Sequence, residues 1–204
     1  MNSSEIKCVI FDMDGTITKP YIDFIKLRAA IGIPEGFTNL LDYRKYLLEQ
    51  DDKKGVEHYD EVLHAFEVDA AEHAELNHGF ADLYNFMKKN KIKIGILTRN
   101  SSKSLKAVTK KLKLKIDAPI SRDHVSVPKP NPEGVYKISE ITNTKLENII
   151  FVGDHLFDIE VGKNAGIRTV FLSNGTEPPF SVDPDFRLDF PNELIPIIKM
   201  LNKI

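Results

Sequence analysis

Apolar and polar positions along the chain fall into two kinds of run. Ile6-Lys7-Cys8-Val9-Ile10-Phe11 is short, mostly apolar, and stops at Asp12 and Gly15, the pattern of a buried strand that reaches a loop. Runs of the same kind recur at Ile92 to Leu97, Ile149 to Val152 and Arg168 to Leu172. Between them, apolar residues recur at helical spacing: Phe80, Leu83, Tyr84 and Met87; then Leu105, Val108 and Leu112 behind the cap candidates Ser101 and Ser102. A third helix opens with Asn131-Pro132 as cap and first turn and continues through Val135 and Ile138. From about residue 79 strand and helix alternate, which predicts an α/β fold: a Rossmann-like parallel sheet with helices on both faces. The tail from Pro191, with Leu194, Ile197, Ile198 and Leu201, reads as a closing amphipathic helix whose Pro196 sits in the first turn or kinks it.

Residues 18 to 78 break this alternation. They hold no convincing strand but carry helical patterns, Leu40, Leu41, Arg44, Leu47, Leu48 and later Val62, Leu63, Phe66, punctuated by Gly32, Pro34, Gly36 and Gly55. The expected organisation is a core of residues 1–17 and 79–204 with an α-helical insert over 18–78.

Composition narrows the function. With 42% hydrophobic and 28% charged residues the chain has the make-up of a water-soluble globular protein. Lys plus Arg number 28 against 30 for Asp plus Glu, so no basic field for nucleic acid exists. Cys8 is the single cysteine, which excludes an intrachain bridge and a cysteine zinc cluster. Met1 to Lys7 is polar, unlike a signal peptide, and no apolar run approaches the ~20 residues of a membrane span. The expectation is a cytoplasmic protein with no membrane partner.

In open parallel sheets ligands bind beyond the carboxyl ends of the strands. The residues there are Asp12 and Asp14 after the first strand, Thr98 and Arg99 after the second, and Gly153-Asp154 with Asp158 after the strand that begins at Ile149; Lys129 stands in the segment Val127-Pro128-Lys129-Pro130. Converging carboxylates repel by about 4 kcal/mol per close pair at an effective dielectric near 20, so the cluster calls for a cation. An all-oxygen donor set without His or Cys favours Mg²⁺.

Asp12-Met13-Asp14-Gly15-Thr16, Thr98, Lys129 and Gly153-Asp154-His155-Leu156-Phe157-Asp158 resemble, in order and spacing, the four motifs of the haloacid dehalogenase superfamily. The helical insert resembles the small type-one cap of its phosphoglycolate-phosphatase-like branch, as does Asn164-Ala165-Gly166-Ile167; Lys19-Pro20 departs from the pattern. The resemblance implies a phosphatase acting on a small soluble phosphorylated metabolite. Asp12 is then the nucleophile and Asp14 the acid and base. Mg²⁺ is then held by Asp12, the Asp14 main-chain carbonyl and Asp154, with Asp158 ligating directly or through water, and Gly15, Thr98, Arg99 and Lys129 serve the phosphate. A hydrolytic dehalogenase needs only the first aspartate, so Asp14 speaks against it, while a sugar-phosphate mutase shares the core and differs in its cap contacts. A silent binding protein would be expected to lack Asp12, Asp14 or Lys129. His155 reads as a solvated loop residue, Lys88 to Lys93 as a solvated basic face, and Arg28 and Arg44 as surface residues of the insert.

Overall fold

The structure is a computed structural model and describes residues 5–37, 39–177, 181 and 183–204, so Met1 to Ser4 of the polar start lie outside the described residues. Its strands are β1 (Cys8–Phe11), β2 (Lys93–Leu97), β3 (Ala118–Ile120), β4 (Ile149–Gly153), β5 (Arg168–Leu172) and β6 (Phe186–Leu188). Its helices are α1 (Phe24–Ile31), α2 (Leu40–Glu49), α3 (Lys53–His73), α4 (Phe80–Lys89), α5 (Ser102–Lys111), α6 (Glu133–Thr142), α7 (Leu156–Ala165) and α8 (Leu194–Asn202). The six strands pair in parallel in the order β3-β2-β1-β4-β5-β6. The Rossmann-like α/β sheet expected from the alternating pattern is present. Four of its strands were anticipated; the edge strands β3 and β6 were not. Each is three residues long and carries a residue foreign to a buried run, Pro119 in β3 and Arg187 in β6, so neither makes a periodic signal.

The central strands are buried on both faces, which is why they read as continuous apolar runs rather than alternations. Cys8 and Ile10 of β1 join Ile149 and Phe151 of β4 under Val135 and Ile138 of α6 and Val161 and Ala165 of α7. The other face carries α4: Phe11 meets Phe80 edge-on, ring centroids 5.3 Å apart. The α4 helix in turn packs on α8. Pro196 lies in the first turn of α8, where its missing N–H costs nothing. Ser101 caps α5 by accepting from the Ser104 amide, as expected. The α6 helix starts one residue later than the pattern suggested, with Pro132 at the cap.

Cα packing divides the chain into two compact units, Tyr21–His73 and the remainder, Met1–Pro20 with Ala74–Ile204. The helical unit comprises α1 to α3 around Leu27, Ile31, Leu47, Tyr59 and Leu63. Asp23 opens α1 by accepting from the Ile25 and Lys26 amides, and Gly32 closes it at φ +77°. The segments leading to and from this unit stay with the sheet. Lys19 N–H donates to Glu75 O at 3.0 Å and Asn77 N–H to Ile17 O at 2.8 Å.

One helix–sheet contact tests the packing. A Cβ on Gly162 of α7 would stand 2.3 Å from Thr169 Cγ2. Thr169 cannot swing aside: its Oγ1 donates to Asp185 Oδ2 at 3.0 Å and accepts from the Asp185 amide at 3.2 Å. Helix propensity alone favours Ala over Gly by about 1 kcal/mol, whereas overpacking a core costs about 1–3 kcal/mol. Gly162→Ala should therefore destabilise the fold by up to about 2 kcal/mol, read as a lower urea midpoint at unchanged slope; a stabilised variant would contradict this packing.

Candidate active site

Strand register assembles the site. Phe11 lies opposite Ile96 of β2 and Val152 of β4, so the residues that follow all three strands emerge at one edge. Asp12 N–H still donates to Val152 O at 2.9 Å, continuing the ladder by one step. Met13 is fully buried, and its carbonyl accepts from Ile17 and Thr18 amides at 2.9 and 3.0 Å, closing a tight loop that carries Asp12 and Asp14 on either side of it. After β4 the chain turns directly into α7, where His155 caps the helix and Asp158 in its first turn accepts from the His155 amide at 3.0 Å. A Cβ on Gly153 would lie 2.3 Å from Asp158, so only glycine lets that helix come back so close.

Asp12, Asp154 and Asp158 each place a carboxylate oxygen within 4.8 Å of the other two. The Lys129 ammonium joins them, donating to Asp12 Oδ1 and to Asp158 Oδ1 at 2.6 Å each. The Lys129 side chain is 4% exposed and that of Asp158 1%, while Asp12 keeps 14%, so of these three Asp12 faces solvent most. Burial works against the Lys129 charge, but the two aspartates outweigh it and hold its pKa above the ordinary value. Burial raises Asp158 to about 6, with Lys129 opposing and Asp12 adding to the rise. Asp154 is pushed well above the carboxylate range by burial and by the charges of Asp12 and Asp158. With every group ionised, three carboxylates and one ammonium would leave two negative charges in excess. A hard divalent cation answers both the charge and the all-oxygen donor set. The loop also fits such a group: Gly15, at φ +76°, lies so close to Asp154 that a Cβ would meet Oδ2 at 2.0 Å. Thr16 Oγ1 donates to Asp154 Oδ1 at 3.0 Å and fixes that carboxylate.

Asp14 stands apart from this cluster. Its side chain accepts at Oδ2 from Asn100 Nδ2 at 2.7 Å. Thr98 is buried and its Oγ1 accepts from the Asn100 amide at 3.1 Å. Arg99 lays its guanidinium over the Phe157 ring, 4.6 Å from the centroid, and that ring meets His155 at 4.8 Å. His155 is exposed, as expected of a loop residue, but its Nδ1 also accepts from the Phe157 amide at 3.3 Å. Partial desolvation of its ring, which packs on Phe157, and the nearby Lys129 charge hold its pKa below the ordinary value, in keeping with that acceptor role.

Four functional-loop residues were missed by sequence reasoning. Asn77 Nδ2 approaches Gly15 O, Thr16 O and Asn174 Oδ1 at 3.0, 3.2 and 2.9 Å, and Asn174 Nδ2 donates to Gly15 O at 2.9 Å. These two amides clamp the loop just after Asp14. Asn174-Gly175 is a turn signal after a strand and could have been noticed; Asn77 gives none. Thr16 and Asn100 lie beside recognised positions, but their partners are distant in sequence. Away from the site, Lys93 opens β2 at its amino end and pairs with Asp117 at 3.2 Å. Arg44 makes a forked contact with Asp60 at 2.7 and 2.6 Å, and Arg28 donates to Phe37 O, both within the helical unit.

Comparison with known proteins agrees with this geometry. Residues 6–166 match the haloacid dehalogenase-like hydrolase family. A haloacid dehalogenase-like hydrolase domain-containing protein of Arabidopsis thaliana is 28% identical over 200 residues, spanning 91% of this chain and 81% of that one. An N-acetylmuramic acid 6-phosphate phosphatase of Pseudomonas putida is 28% identical over 214 residues, 95% of this chain and 96% of its own. Among solved structures, a subfamily IA hydrolase of the same superfamily from Geobacter sulfurreducens superposes with a TM-score of 0.68 at 21% identity, covering 94% of this chain and 99% of the other. A family match over most of the chain, on a sheet that already gathers the aspartates and the lysine at one edge, establishes that this protein belongs to the haloacid dehalogenase-like hydrolases.

Proposed function

We propose that the protein is a Mg²⁺-dependent phosphatase that cleaves a small soluble phosphomonoester through an aspartyl-phosphate on Asp12. The observation that carries this reading is the Asp12 carboxylate, partly exposed and held at 2.6 Å by a buried lysine within an acidic trio. The phosphatase name of the Pseudomonas putida relative supports the substrate class. Asp12, Asp154 and Asp158, with the Asp14 main-chain carbonyl, would hold Mg²⁺, and the bound ion supplies charge neutralisation for the phosphoryl oxygens.

The chain's own residues do the rest. Lys129 keeps the Asp12 carboxylate aimed and balances charge as its oxygen bonds to phosphorus. Thr98 and Arg99, with Gly15 in the loop, receive the phosphoryl group. Asp14 gives its proton to the leaving oxygen as the ester bond breaks, then takes one from the water whose oxygen displaces Asp12 from phosphorus. One difficult displacement becomes two easier ones. Along the chain the helical unit is inserted after Pro20, a few residues past the loop that carries Asp12 and Asp14, and ends before Ala74. We take it as a cap that excludes water and selects the leaving group.

Screening the purified protein against a panel of phosphorylated metabolites with and without Mg²⁺ tests the reading. Asp12→Asn should abolish hydrolysis and weaken Mg²⁺ binding. Asp14→Asn should lower kcat by about 10² to 10⁴ with Mg²⁺ affinity kept, because its metal contact is a main-chain atom; steady-state kinetics and calorimetric Mg²⁺ titration read both. Full activity after exhaustive chelation, or in Asp12→Asn, overturns the mechanism.

Replacing residues 21–73 with a short Gly-Ser linker should reduce turnover of the best metabolite far more than that of p-nitrophenyl phosphate. Equal losses on the two, with the core shown folded by circular dichroism, would mean that the helical unit does not set specificity.

A further inference from the structure

Asn100 lies two residues past Thr98, and its side chain reaches across to the loop of β1, where Nδ2 donates to Asp14 Oδ2 at 2.7 Å. We propose that Asn100 is the positioning residue for the general acid and base, holding the Asp14 carboxyl group at the angle needed to pass a proton to the leaving oxygen. The inference rests on the phosphatase reading of Asp12 and Asp14 given above.

Asn100 is fastened before it touches Asp14. Its amide donates to Thr98 Oγ1 at 3.1 Å, and its carbonyl accepts from the Arg122 amide at 3.1 Å. Around it, Thr98 N–H donates to Ile120 O at 3.0 Å, Arg122 Nη1 to Arg99 O at 2.9 Å, and the Ser102 amide to Asp123 Oδ2 at 2.6 Å. Five hydrogen bonds thus tie residues 98–102 to one another and to the end of β3 and the turn after it. A side chain mounted on so restrained a loop has a narrow range of positions, which makes its single amide contact a directional constraint on Asp14.

Chemistry suits the task. A carboxylic group must be held the same way when it donates a proton and when it accepts one, half a cycle later. An amide N–H donated to one oxygen persists in both states, because a protonated carboxyl keeps acceptor capacity. A lysine or arginine there would instead favour the ionised form strongly and oppose the donating step.

A leaving-group comparison tests the assignment. Phenyl phosphate needs its leaving oxygen protonated, whereas p-nitrophenyl phosphate, similar in size, departs with little help. kcat/KM reports the steps through ester cleavage. Asn100→Leu, which removes the donor at nearly constant shape, should lower kcat/KM about 10- to 100-fold on phenyl phosphate and at most a few-fold on p-nitrophenyl phosphate, with Mg²⁺ affinity unchanged. Asn100→Ser, smaller and polar, should give the same split and guards against misfolding of the first variant. Equal losses on both esters in the folded variants, or no loss on either, overturn the role of Asn100 while leaving the phosphatase reading intact. A wild-type protein that cleaves neither ester with Mg²⁺ present overturns that reading and this inference together.

Discussion

The Lys129 ammonium, shared between Asp12 and Asp158 at 2.6 Å on each side, is the interaction around which the site is arranged. A buried ion pair gains stability only when geometry offsets desolvation, and removing one partner leaves an uncompensated charge that costs about 3–5 kcal/mol. Here a single ammonium serves two carboxylates while a third, Asp154, stands beside them with Thr16 as its donor. The arrangement is therefore short of positive charge. It is stable in the folded chain at the expense of raised carboxylate pKa values, and in the phosphatase reading proposed above a cation and a phosphoryl group complete it.

The parallel sheet makes that crowding possible. Strands β1 and β4 run side by side in register, so Asp12 and Asp154 leave the sheet one residue apart in height. Glycine at 153 lets Asp158 return over the strand end, and glycine at 15 lets the loop after β1 lie against Asp154. The same loop is held from behind by the Asn77 and Asn174 amides. Asn77 stands just after the point where the chain comes back from the helical unit, so the loop that carries the chemistry and the segment that leads from that unit share hydrogen bonds.

Much of this was legible in the sequence, and what was not has a physical reason. Buried strands declare themselves as apolar runs, and the aspartates after them, with Lys129, are singled out because ligands bind beyond the carboxyl ends of parallel strands and because their order and spacing resemble the family's four motifs. The edge strands β3 and β6 are short and weakly patterned, and their pairing is decided by neighbours rather than by their own composition. Asn77, Asn100, Asn174 and Thr16 matter through contacts across 61 to 159 positions of chain, except that Asn77 also bonds its own neighbour. A polar residue in a loop carries no mark of its distant partner. Leu48, apolar at a helical spacing, is 54% exposed, so periodicity overstated the buried face of α2.

The central claim is that Asp12 forms a covalent bond to phosphorus within this charge-deficient cluster. Rapid quench of the enzyme with a ³²P-labelled phosphomonoester, followed by digestion and peptide mapping, tests it most directly. The account predicts label on the peptide containing Asp12 within the first turnover, released by hydroxylamine as an acyl phosphate must be, and absent from Asp12→Asn. Turnover with no labelled protein at any quench time, or label on another residue, would contradict it.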